Sequence, residues 1–78
     1  MNKFVLDEKN ATQLAIILTK GHQPNQQILQ IKHATRPNGK AHVLVSSLHP
    51  LEIVEQSIKS FMFLYGKINF PLQIIPVE

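Results

Sequence analysis

The sequence predicts a small α+β domain from three observations. Two Ile/Leu/Val-rich segments are joined by a turn, a long amphipathic helical segment follows, and a proline-marked strand closes the chain. The 78 residues, 44% of them apolar, suit a single domain over residues 1–78. A chain of this size buries only about 60–65% of the surface its unfolded form exposes. It has no cysteine, hence no disulfide to supplement the core, so self-association is an early expectation.

Residues 3–6 read as a short first strand, and residues 11–20 admit two readings. As a helix, they have Asn10 as N-cap, with Asp7 and Glu8 upstream. Ala11, Leu14, Ala15 and Leu18 form one stripe, Lys20 lies in the last turn, and Gly21 follows. As a strand, Ile16 and Ile17 between Thr12 and Thr19 would pair with residues 3–6 across residues 7–10. The helix is the preferred reading. Residues 23–27, QPNQQ, read as a loop.

A hairpin follows, its strands at residues 27–35 and 40–46. Pro37 presets φ for a type I turn, and Gly39 can take the left-handed position that closes a three-residue loop. Arg36 then sits beside Lys40, and Leu29, Ile31, His33, Ala41, Val43 and Val45 share one face. The other face collects Lys32, Ala34, Arg36, Lys40 and His42 near the tip, with Ile28 and Leu44 further down.

Residues 49–65 read as the second helix, with Pro50 in the first turn, Glu52 and Glu55 near the positive helix end, and Gly66 as a left-handed stop. At about 100° per residue, Leu51, Val54, Ile58, Phe61, Met62 and Tyr65 form a core-facing stripe. Ile53 and Leu64 fall nearly opposite, flanked by Phe63 and separated by Ser57 and Ser60. Residues 68–76 alternate as a strand, but Pro71 and Pro76 cannot donate ladder hydrogen bonds, which confines that strand to a sheet edge. The resulting β-α-β-β-α-β order is the ferredoxin-like arrangement. The strand reading of residues 11–20 gives instead an antiparallel meander packed on one long helix.

Eight Lys and Arg against five Asp and Glu give a net charge of +3 with histidines neutral. Between Lys9 and Leu51 there are five cationic residues and four histidines with no carboxylate, a field of one sign that attracts anionic partners. Lys32, Arg36, Lys40 and His42 at the hairpin tip are the candidate nucleic-acid contacts, because a two-stranded ribbon fits a major groove and outward cations meet phosphates. The stretch 39–45 before a helix is similar in outline to an RNA recognition motif. The stacking aromatics which that resemblance implies are replaced by Ala41, Val43 and Val45. Residues 50–57, with Phe61, Tyr65 and Gly66, resemble a stretch of the competence regulators of Gram-positive bacteria, with Ile58 where a cysteine is expected; the resemblance implies a DNA-related regulator.

No chemistry-bearing constellation emerges. His22, His33, His42 and His49 show neither metal-ligand spacing nor a cysteine partner, and the serines lack a Gly-x-Ser-x-Gly setting. Paired carboxylates for acid–base work and a glycine-rich phosphate loop are both missing. The expectation is a non-enzyme with no cofactor, no metal and no catalytic residues. Ile53, Phe63 and Leu64 are the candidate protein interface, with a homodimer as the commonest way to cover such a strip. The early charges at Asp7 and Glu8 argue against a secretory signal, and apolar runs of five residues are far short of the roughly 20 that span a bilayer. A cytoplasmic protein with no membrane partner is therefore expected. Its function reads as a binding or regulatory module that pairs through apolar helix or edge-strand surface; the alternative is a nucleic-acid-binding regulator.

Overall fold

The first strand ends on a carboxylate, and that carboxylate starts a helix. In the computed structural model, which describes residues 1–66 and 71–77, β1 (Asn2–Leu6) runs directly into Asp7, the N-cap of α1 (Glu8–Thr19). The Asp7 carboxylate accepts from the backbone N–H of Asn10 at 3.4 Å and from the Asn10 side-chain amide at 2.8 Å. Asn10, expected as the cap, therefore lies inside the first turn and is buried. Starting at Glu8 turns Ala11, Leu14 and Ile17 inward together. Lys20 closes the helix, and Gly21 follows with φ +93°. The strand reading of residues 11–20 is overturned, and with it the meander on one long helix.

The hairpin forms at the expected turn. β2 (Gln30–Thr35) and β3 (Ala41–Ser47) are joined where the Arg36 N–H donates to the Lys40 carbonyl and the Gly39 N–H to the Arg36 carbonyl, both at 2.8 Å. Gly39 has φ +82°, a conformation L side chains rarely adopt. Ile31 pairs with Val45 and His33 with Val43, as the turn register requires. β2 is shorter than expected because Asn25 turns the chain: its carbonyl accepts from the N–H groups of Ile28 and Leu29, both at 3.0 Å. Ile28, expected on the outward face, packs against the core instead. Buried Ser47 fixes this corner, its hydroxyl donating to the Ile28 carbonyl at 2.6 Å and accepting from the His49 N–H at 3.0 Å.

α2 (Leu51–Leu64) is slightly shorter than the predicted 49–65. Pro50, extended at ψ 169°, caps it from outside rather than sitting in the first turn, and Gly66 at φ +67° ends it. Val54, Ile58, Phe61 and Met62 are buried, with Leu51 and Tyr65 packed against the same core. β4 (Ile74–Val77) covers only the end of the predicted strand; residues 68–70 lie outside the described residues. Asp7 ties it in place, donating its backbone N–H to the Gln73 carbonyl at 2.9 Å and accepting from the Gln73 N–H at 3.1 Å.

The α+β class and the β-α-β-β-α-β order are thus as expected. The sheet order is β2-β3-β1-β4, with every neighbouring pair antiparallel. β1 and β2 consequently run parallel with β3 between them, and β3 and β4 run parallel with β1 between them, giving two interleaved split β-α-β units. β4 takes an edge, as its prolines require, with Pro76 opposite Phe4. Phe4, Leu6, Val43 and Val45 point to one face and meet Ala11, Leu14 and Ile17 of α1 and the buried stripe of α2 in a single cluster. Both helices cover that face and leave the other open.

Candidate functional site

Alternation along the strands decides what the open face carries. Since Phe4 and Leu6 point inward, Lys3 and Val5 point outward; since Val43 and Val45 point inward, His42, Leu44 and Ser46 point outward. The register then builds two rows across the sheet: Lys32, Leu44, Val5 and Ile75 in one, Gln30, Ser46, Lys3 and Val77 in the next. Towards the hairpin, Ala34 pairs with His42. The Arg36 guanidinium (Nη2) lies 2.8 Å from His42 Nδ1; a guanidinium only donates, so Nδ1 is the acceptor.

Of the four cationic candidates, Lys32, Arg36 and His42 stand together on this face, while Lys40 reaches toward the helix layer. Its Nζ is 3.3 Å from Glu8 Oε2 at the start of α1. Lys3, absent from the sequence-derived set, joins the face from β1. The signal that could have found it is the alternation of residues 3–6; missing was the strand order that sets β1 beside β3.

The described carboxylates all belong to the helix layer or its junctions. Asp7 is turned into the α1 cap, Glu8 pairs with Lys40, Glu55 holds Lys59 at 2.9 Å, and Glu52 lies in the first turn of α2. Lys3 and Lys32 have no ion-pair partner among the described residues.

The second candidate surface lies on the flank of α2. Phe63 and Leu64 are 73% and 72% exposed and Ile53 42%, so the rest of the described chain leaves the strip uncovered. Ile53, Ser57, Ser60 and Leu64 line up along the helix at helical spacing. Ser57, Ser60 and Leu64 border an open groove of about 460 Å³ whose far wall is Gln23, Pro24 and Asn25. The strip is therefore a flank beside the loop after α1, rather than the side opposite the core.

The histidines are dispersed. His22 stacks on Tyr65 with ring centroids 4.0 Å apart, His42 holds Arg36, His33 is exposed on β2, and His49 donates its backbone N–H to Ser47. Among the described residues no three His, Asp or Glu side chains converge into a metal-binding group. Among them, too, no helix is long and apolar enough to cross a membrane. No protein-family model matches the chain, and neither the curated proteins nor the solved structures contain a match.

Proposed function

We propose that this chain is a non-enzymatic binding module that pairs with a second copy of itself through the flank of α2. The observation that carries this reading is the exposure of Leu64 and Ile53 on one uncharged row with Ser57 and Ser60, with exposed Phe63 beside it. The strip is self-complementary. In an antiparallel crossing about its middle, Ile53 of one chain meets Leu64 of the other, and the small Ser57 and Ser60 let the two helices approach closely. The sheet edges are poorer candidates: β4 carries Pro76, which cannot donate, and β2 carries the outward Lys32, which discourages edge pairing.

The magnitudes point to a modest dimer. Three partly exposed apolar side chains per protomer contribute about 10 kcal/mol gross when covered in both copies. Association costs at least about 4 kcal/mol in lost freedom, plus side-chain ordering, which leaves at most about 6 kcal/mol, so the dissociation constant should lie between tens of micromolar and the millimolar range. Light scattering over a concentration series rising to roughly 2 mM should show the mass climbing from 8.9 kDa toward twice that value, and Leu64→Asp should hold it at 8.9 kDa throughout with an unchanged circular-dichroism spectrum. A wild type that stays at 8.9 kDa contradicts the proposal.

A further inference from the structure

We infer that the open face of the sheet binds single-stranded nucleic acid, its phosphates held by Lys3, Lys32 and Arg36 and its bases lying over Leu44, Val5 and Ile75. The face is defined by charge and by composition together. No described carboxylate stands on it, whereas the two described ion pairs engage Lys40 and Lys59 elsewhere. An apolar row crosses the sheet between the cations, Leu44 and Val5 half-buried and Ile75 exposed.

Strand spacing and rise place the Lys3 and Lys32 Cα atoms about 12 Å apart, and Lys32 about 13 Å from Arg36. The three form a cationic path of about 25 Å running obliquely from β1 to the hairpin. A single strand offers what such a path needs, a charge on every nucleotide and a flat, weakly polar base beside it. A duplex presents phosphates but keeps its bases stacked inside, which leaves the apolar row facing water. A second copy of this face would set lysine against lysine. Among the described residues no Phe or Tyr ring lies on the face, since Phe4 is inward and Phe61, Phe63 and Tyr65 belong to α2 or its cap, and the His42 imidazole there is held by Arg36 at the hairpin end, away from the apolar row. Base contact is therefore aliphatic, and binding should be tolerant of base identity and dominated by phosphate. Contact through α2 occupies the opposite side of the sheet, so this inference stands independently of pairing.

The test is fluorescence anisotropy with a labelled oligothymidylate of about a dozen nucleotides, compared with a duplex of the same length and with poly-glutamate. The single strand should bind with log K falling against log salt at a slope of about −2, for three phosphate contacts. The duplex should bind at least about tenfold more weakly, and Lys3→Glu with Lys32→Glu should cost about tenfold or more. Lys3→Gln with Lys32→Gln should weaken binding in the same direction without reversing charge on the sheet. Lys40→Glu, off the face, should change affinity less than about twofold, and Leu64→Asp should leave binding per chain intact. Absent binding at low salt, equal binding of the duplex or of poly-glutamate, or a Lys40→Glu loss matching that of the Lys3 and Lys32 pair overturns the inference.

Discussion

Asp7 performs three tasks with one carboxylate and its own backbone. It caps α1 through the Asn10 N–H, accepts from the Asn10 side chain, and accepts from the Gln73 N–H while donating its own N–H to the Gln73 carbonyl. One side chain thus couples the start of α1 to the strand that closes the sheet. Asp7→Ala should cost about 2 kcal/mol in urea unfolding, the upper end of what a cap contributes, and Asp7→Asn should recover only part of it, because both carboxylate oxygens accept and an amide has one acceptor. A cost below about 0.5 kcal/mol would show that the coupling is idle. The sequence placed the cap at Asn10 because both residues are good caps and both precede apolar spacing. What separates them is tertiary: β1 ends at Leu6, which leaves Asp7 extended at the helix mouth.

α2 carries a buried stripe and an exposed flank, and the two should respond differently to substitution. Ile58 is fully buried, so Ile58→Ala should destabilise by about 3 kcal/mol through lost transfer energy and a residual cavity. Phe63→Ala should change stability by less than about 0.5 kcal/mol when measured in the Leu64→Asp background, where no partner covers the flank. Equal losses at both positions would mean that Phe63 is part of the core. This element was legible in the sequence because Leu51, Val54, Ile58, Phe61, Met62 and Tyr65 repeat at the helical period, and Gly66 supplies the only easy left-handed exit. The hairpin was legible for a similar reason: Pro37 and Gly39 fix the loop, and the loop fixes the register. The start of β2 was not, because Ile28 looks like a strand residue until the Asn25 carbonyl captures the two N–H groups that a ladder would use.

Across the whole molecule, charge is sorted by layer. The helix layer and its junctions hold the described carboxylates, while Lys3, Lys32 and Arg36 occupy the open sheet face. Half of that face could be read from the hairpin alone, since Lys32, Arg36 and His42 alternate outward together. Lys3 and Val5 could not be added without knowing that β1 inserts between β3 and β4, a pairing set by loop closure and helix packing rather than by local pattern. Lys40 alternates with His42 in sequence but is drawn to Glu8, a contact that exists only because α1 begins beside the hairpin. The α2 flank and the open sheet face lie on opposite sides of a two-layer fold, so the proposed pairing and the proposed polyanion binding can be tested separately. The pairing is tested most directly by isotope-filtered NMR on a mixture of labelled and unlabelled chains. Intermolecular contacts between Ile53 methyls of one chain and Leu64 methyls of the other are expected. Contacts from β2 or β4 edge residues in their place, or no intermolecular contacts at all, would contradict the account.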